Sequence, residues 1–423
     1  MALSITLTDE MNTIDLLAAP YSVAEYSPRA PMMRNGKYQD ITESLDMTIQ
    51  AASKAALQAA VHDLETMIAR AYRPESERGV GPRVWIQMQV DGDAAIDRSE
   101  VLSGRFQPDG DALITWAGAT ITGLLTIERR FFWEGAEKTL LFAGGGSTAT
   151  LRNTDNTSPY NVATFGDVDG VIETPIKLTL TNATGTAIDF RDIYVATDSE
   201  IGMTGTQHLI TPDTPTASWT GSSEHNLIRY DLSIADAAVA VIGGRACHVV
   251  AAFTDSAVNT YLRASLRYKS GGVYNELAQV GVREPFTGPT GTEVIDFGAV
   301  EIPPKGAPAT SGLVIVITAY SEYSESMTLD FAALMPARHF KRMNQTGYNT
   351  SNGAAIVDDG MVGEAYTLDG STKRPIVRSS RKPLMVEPGR TNRLYIVAAE
   401  GSGYNSAIVV TASVRYRPRR LTI

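Results

Sequence analysis

Residues 45–73 read LDMTIQAASKAALQAAVHDLETMIARAYR, and the hydrophobic spacing changes inside that stretch. Leu45, Met47 and Ile49 alternate with Asp46, Thr48 and Gln50, the two-residue period of a half-buried strand. From Leu57 the spacing becomes helical: Leu57, Val61, Leu64, Ile68 and Tyr72 follow one another at steps of 4, 3, 4 and 4, with alanines between. Ser53 stands where an N-cap belongs, and Pro74 cannot continue a helix. The stretch therefore predicts a strand followed by one amphipathic helix over about 53–73. Residues 74–83, PESERGVGPR, read as the loop after it.

Outward from the helix, the two-residue period returns. In VWIQMQV (84–90), Val84, Ile86, Met88 and Val90 share one face, and Trp85, Gln87 and Gln89 the other. Pro108-Asp109-Gly110 separates SEVLSGRF (99–106) from ALITW (112–116), which predicts a hairpin because Pro presets φ and Gly tolerates φ > 0. GLLTIERRFFWEG (123–135) predicts a long strand closing a first domain over residues 1–140. Residues 143–161, AGGGSTATLRNTDNTSPYN, have linker composition, so 141–170 is expected to be a linker or long loop.

Beyond it, ten short runs rich in Val, Ile, Thr and Tyr are bounded by turn residues. They are PIKLTLTNATG (175–185), DIYVAT (192–197), LIRYDLSI (227–234), CHVVAAF (247–253), TYLRASLRY (260–268), VIDFGAV (294–300), LVIVITAY (313–320), MTLDFAAL (327–334), RLYIVAA (393–399) and AIVVTASVRY (407–416). They predict a β-sandwich or jelly roll over 171–423, in one piece or in two sub-units dividing near 336, with no helix after residue 73.

Charge and cysteine narrow the function. The 423 residues carry 37 Lys/Arg and 47 Asp/Glu, a net charge of −10, which argues against general attraction to nucleic acid or an anionic membrane. One cysteine, Cys247, supplies neither an intramolecular disulfide nor a cysteine-based zinc site. No apolar run is long enough to span a bilayer, and MALSITLTDEMNT has no basic-then-apolar export pattern, so neither membrane insertion nor export by the secretory route is expected. Residues 371–423 hold eleven Lys/Arg against two acids, a net +9 that leaves −19 for the remainder. Head-to-tail assembly through complementary surfaces is one meaning of that polarity, and a solvated basic edge strand is the other.

No catalytic constellation emerges. A G-x-S-x-G elbow is absent, and His62, His208, His225, His248 and His339 are scattered. His62 reads as a boundary residue on the helix. Cys247 and His248 adjoin, but on a strand they point to opposite faces, so a buried Cys and a satisfied His are expected. The run Asp91-Gly92-Asp93-Ala94-Ala95-Ile96-Asp97 fails as a calcium loop, because Ala95, Ile96 and Leu102 stand where a ligand, Gly and Glu are required. Gly144-Gly145-Gly146 lacks the Lys-Ser/Thr of a phosphate loop. Paired carboxylates for glycoside hydrolysis meet only in space and leave no trace here. The 17 Tyr and 4 Trp allow a sugar-stacking platform, although such residues ordinarily fill cores.

At this point the first module resembles a known family. The order strand, helix LQAAVHDLETMIARAYR, strand VWIQMQV, strand SEVLSGRF and strand LLTIERRFFWEG is similar to the distal tail and tail-tube-like proteins of long-tailed bacteriophages. Its most specific parts are the stretch 123–135, which ends in Arg129, Arg130, Phe131, Phe132, Trp133, Glu134 and Gly135, and the terminal Arg415-Tyr416-Arg417-Pro418-Arg419. PIKLTLTNATG, LDFAALMPA (329–337) and MVEPGRTNRLYIV (385–397) resemble the jelly-roll accessory domains of the same proteins. The resemblance implies a mainly β fold, a tail-tube-like β-sandwich with one flanking helix followed by β-sandwich or jelly-roll domains. It further implies a non-enzymatic virion protein at the tail tip, made in the host cytoplasm. Such a protein would form a homo-oligomeric ring, a hexamer by preference, joining the tail tube to the tip or baseplate hub proteins. No cofactor, metal or catalytic residue is expected. The alternative is a tail-associated protein recognising a host-surface carbohydrate.

Overall fold

The computed structural model describes residues 2–9, 11–24, 26–72, 83–90, 96–109, 119–153, 161–200, 209–212, 216–219, 226–255, 261–270, 273–283, 293–304, 312–321, 325–344, 350–400 and 403–423. The chain is mainly β, as the alternation requires, and every strand pairing among these residues is antiparallel. Each of the ten downstream runs contains a strand among the described residues. Two compact units form: residues 1–138, 169–174 and 417–423 in unit 1, residues 139–168 and 175–416 in unit 2.

Unit 1 is built on one large antiparallel sheet that rolls around its own core. Along it lie Thr13–Asp15, Ala2–Thr8, Val84–Val90, Asp97–Pro108, Thr120–Arg129, Ile41–Gln50 and Tyr21–Val23. The two ends meet where the N–H of Val23 donates to the carbonyl of Leu16 (3.1 Å), whose own N–H donates to Ile5 (2.8 Å). Leu45, Met47 and Ile49 fill the interior with Ile86, Met88, Leu125 and Ile127, so the alternation in the sequence became inside and outside. Helix α1, Lys54–Ala71, has Ser53 as its N-cap, its hydroxyl accepting from Ala56 N at 3.2 Å. Its buried stripe is Leu57, Ala60, Leu64, Met67, Ile68 and Ala71. Each large side chain among them contributes roughly 1.5–3 kcal/mol on burial. Tyr72, expected on that stripe, is instead the exposed C-cap, because the helix ends one residue before it. Gly104 lets the helix settle on the sheet: a Cβ there would stand 3.1 Å from Ile68 Cγ2 and 2.9 Å from Thr126 O. The turn after Gly110, the segment ALITW and most of PESERGVGPR lie outside the described residues.

Unit 2 is a stack of four sheets. Sheet A runs Lys138–Leu140, Val409–Tyr416, Thr174–Asn182, Ala355–Asp359, Glu364–Asp369 and Thr372–Pro375. Sheet B runs Val162–Thr164, Arg393–Glu400, Phe190–Asp198, His339–Asn344 and Val377–Arg378. Sheet C holds Leu209–Ile210, Glu325–Pro336, Arg245–Asp255 and Glu293–Ile302; sheet D holds Asn226–Ser233, Leu313–Ser321, Tyr261–Ser270 and Val273–Arg283. Sheet B is covered on both faces. Ile193 and Val195 pack with Leu178 and Val414 of sheet A, whereas Tyr194 and Ala196 pack with the cluster that contains Phe331 and Val249 of sheet C. Two buried faces explain why IYVA and LYIVAA are continuously apolar and not alternating. Sheets C and D thus form a sandwich inserted between Asp198 and His339 of sheet B.

Three expectations are corrected. Residues 141–170 are not a plain linker, since Thr148–Arg152 pairs with Val409–Tyr416 and Val162–Thr164 pairs with Arg393–Glu400. Leu151, Ala163, Phe165 and Val168 are buried there, four apolar side chains that a Gly/Ser/Thr-rich composition masks. A second helix does exist, α2 at Asp236–Ile242, burying Ala238, Val239 and Ile242. Seven residues are too few to display a helical period. Finally, the C-terminal domain does not run to the C-terminus, because Arg417–Ile423 belongs to unit 1.

Candidate assembly surfaces

The segment Arg129–Gly135 is the charged centre of unit 1. Arg129 continues the inward face of its strand after Leu125 and Ile127, which places a guanidinium inside the rolled sheet, fully buried. Glu43, on the inward face of Ile41–Gln50, meets it: Arg129 Nη2 to Glu43 Oε1 is 2.7 Å. Glu43 also accepts from the N–H of Arg29 (2.9 Å) and from the hydroxyl of Tyr26. Arg129 donates in addition to the carbonyls of Arg29 (3.1 Å) and Arg130 (2.9 Å), and its guanidinium lies 4.5 Å from the centroid of buried Trp133. Burial, then the Glu43 charge, pushes the Tyr26 phenol well above its ordinary range, so it remains a donor. This network fixes residues 26–29 across one end of the core.

Glu134 faces a different strand. It accepts from Arg98 (3.4 Å) and from Arg419 (2.9 Å), and Trp133 and Glu134 pair with Arg420 and Arg419 as a short ladder. The Gly135 N–H donates to Pro418 O, and its carbonyl accepts from Arg417. Arg419 lies 4.0 Å over the Phe132 ring. Gly170, at φ +112°, completes the joint, since a Cβ there would sit 2.9 Å from Arg419 O. The two segments that carried the family resemblance, 129–135 and the Arg-Pro-Arg end, are therefore partners in one clamp.

A hairpin leaves the same region. Met33–Arg34 pairs with Lys37–Tyr38 across Asn35-Gly36, both at positive φ as a type I′ turn requires. It pairs with no other strand among the described residues. Its base is held by the Tyr38–Phe131 ring stack (5.5 Å) and by Arg130 against Asp40 (3.4 Å). Met32 and Met33 are 80% and 60% exposed beside Arg34 and Lys37. Elsewhere on unit 1, a cavity of about 470 Å³ opens between α1 and the turn before Thr13–Asp15. Met11, Ile14, Met67 and Asp63 line it, with Arg70, which is tied to Asp9. This hairpin was not among the expected elements, although Asn35-Gly36 between Met33-Arg34 and Lys37-Tyr38 is its local signal.

The other flagged residues are not brought together. Cys247 is fully buried, and burial, then Asp198, pushes its thiol up to about 12. We expect no reaction with a thiol reagent at pH 8 in the folded protein and full labelling in denaturant; labelling of the folded chain would contradict this packing. His248 Nδ1 lies 3.1 Å from Asp296, and its ring stacks on Phe340. His62 is exposed on α1, and His208, His225 and Asp91–Ala95 lie outside the described residues. The triple glycine makes a tight turn in which Gly145 N donates to Phe142 O. The basic terminus is not one patch: Arg419 and Arg417 serve the clamp, whereas Lys373 and Arg378 pair with Glu364 and Asp358 in unit 2. No group of three or more metal-ligating side chains occurs among the described residues, and none of their helices is long and apolar enough to cross a membrane.

Fold and surfaces together define a mainly β chain with one long helix on unit 1, whose clustered charges tie its own segments to one another. No protein-family model matches the chain, and no curated protein matches it. Among solved structures, it is similar to a chain of the phage P2 baseplate in its activated conformation with calcium, at 8% identity and a TM-score of 0.33, covering 99% of each chain. The SPP1 Dit protein, described as a paradigm of the hub adsorption apparatus in phages infecting Gram-positive bacteria, is similar at 8% identity and a TM-score of 0.31, covering 98% of each. The infectious bursal disease virus VP2 subviral particle follows at 11% identity and a TM-score of 0.18, over 67% of this chain and 81% of that one.

Proposed function

We propose that this chain is a non-enzymatic structural protein of a bacteriophage tail, present in the virion as one subunit of a homo-oligomeric ring between the tail tube and the tip or baseplate hub. The observation that carries the proposal is the pair of unlike surfaces on unit 1. A hairpin offers two exposed methionines and two cations, and a largely polar groove offers exposed Met11 and Asp63 beside Asn12, Thr13, Thr66 and Arg70. Unlike surfaces that fit each other form heterologous contacts, which close into a ring when the rotation allows. Methionine suits such a contact because its side chain adapts to an irregular wall. The sequence resemblance over 129–135 and the Arg-Pro-Arg end supplies the tail context, and the phage baseplate and hub proteins named above are of that class.

Native mass measurement of the full chain tests this. A closed ring, six copies by preference, is expected for the natural sequence, and monomers for Met32→Glu/Met33→Glu and for Asp63→Lys. A natural-sequence monomer at every concentration, or a ring untouched by both variants, would overturn it.

A further inference from the structure

One segment of unit 2 forms the edge of two sheets at once. Thr372–Pro375 is the last strand of sheet A, and Val377–Arg378, two residues on, is the last strand of sheet B. Between residues 371 and 382 stand five cations, Lys373, Arg374, Arg378, Arg381 and Lys382, and no acid. A cavity of about 420 Å³ opens at this corner, with Tyr366, Pro375 and Ile376 as apolar walls, Lys373 and Arg378 as its cations and Glu364 as its one acid. Arg378 is preorganised. Its Nη1 lies 3.2 Å from the fully buried carboxylate of Asp358, and its Nη2 donates to Gly363 O at 2.5 Å. Lys373 lies 4.1 Å from the Tyr366 ring and pairs with Glu364, both partners about half exposed. An exposed pair of that kind contributes little, so a ligand anion can replace Glu364 at small cost.

We infer that this corner binds an anionic polyol or sugar chain, one whose repeating unit carries phosphate or carboxylate groups. An edge strand needs a lysine or a proline to resist strand addition, and Lys373 with Pro375 supplies both, which disfavours an extended peptide as occupant. Neither device requires a concavity lined by a tyrosine and two cations. A ring or polyol carbon skeleton covers Tyr366 and Ile376 while its anions meet Lys373 and Arg378, and the flanking Arg374, Arg381 and Lys382 favour a chain of such units over a single one. The inference goes beyond the ring proposal and stands or falls independently of oligomeric state.

The test uses the full chain against immobilised polygalacturonate and a glycerol-phosphate polymer, with single-stranded DNA as a third polyanion. Binding to one of the first two is expected to weaken with salt, because exposed charges are screened within about 8 Å at 0.15 M. It should fall at least tenfold in Lys373→Glu/Arg374→Glu, and several-fold in Tyr366→Ala, whose charge is unchanged. Arg390→Glu, a cation outside the corner, should leave it intact. Circular dichroism confirms that each variant is folded, and if Tyr366→Ala is not, Tyr366→Ser replaces it. Which of the two polymers binds separates carboxylate from phosphate. Absence of binding to both, binding indifferent to the Tyr366 variant, or equal binding to DNA would overturn the inference.

Discussion

Deletion of Arg417–Ile423 is expected to destabilise unit 1, although those seven residues follow unit 2 in the chain. Arg419 is 285 residues from Glu134, yet its guanidinium is the closer of the two cations on that carboxylate. Glu134 is almost fully buried. Removing one member of a buried ion pair leaves a desolvated charge, at a cost of about 3–5 kcal/mol. Deletion additionally uncovers Phe132 and removes the acceptor of the Gly135 N–H. Arg419→Ala alone should cost about 3 kcal/mol. Urea unfolding followed by tryptophan emission should show the transition of unit 1 moved down by roughly 1–3 M for such a loss. An unmoved transition in the deletion variant would show that the clamp contributes nothing.

The second large effect is expected at Arg129. Arg129→Ala leaves Glu43 inside the rolled sheet with only Tyr26 and Arg29 as donors, and it opens a void over Trp133. Buried charge and lost packing act in the same direction, so a cost of about 3–5 kcal/mol is expected. Glu43→Gln, which keeps the shape and still accepts, should cost less than Arg129→Ala. The reverse order, measured by the same unfolding transition, would mean that Glu43 and not the arginine dominates the pair. Because Arg129 also holds the carbonyl of Arg29, its loss should loosen residues 26–29 and increase proteolysis near the Met32–Met33 hairpin.

Much of this architecture was legible in the residues. Leu45, Met47 and Ile49 alternate because one face of their strand meets the core, and the 4, 3, 4 spacing from Leu57 to Ile68 marks a helix lying on a sheet. Strands of sheets B and C were recognisable for another reason: buried on both faces, they are apolar almost without interruption along their central residues. Less was legible where a strand is short, polar or at an edge. Val273–Arg283 carries exposed Val273 and Leu277 at the edge of sheet D, so no clean alternation marks it. Thr148–Arg152 sits in a glycine-rich setting that outweighs its single buried Leu151.

The candidate surfaces divide in the same way. Asn35-Gly36 announces a hairpin locally, since both residues must take positive φ. Arg129 is in phase with Leu125 and Ile127 on its strand, but nothing local announces that its partner is Glu43, 86 residues away. The eleven basic residues near the C-terminus suggested one polarised end, but an arginine declares its charge in the sequence and its partner only in space. Two of them, Arg417 and Arg419, hold unit 1 together, and two others, Lys373 and Arg378, line a corner of unit 2.

By itself the sequence determined that this is a β protein with one long amphipathic helix, because the side-chain period records which face of each element is buried. Only the tertiary structure decided which strands are neighbours, that the last seven residues complete the first unit, and that a sandwich is inserted into sheet B. Those outcomes depend on pairings between residues hundreds of positions apart, whose hydrogen bonds and charge partners exist only once the sheets have closed.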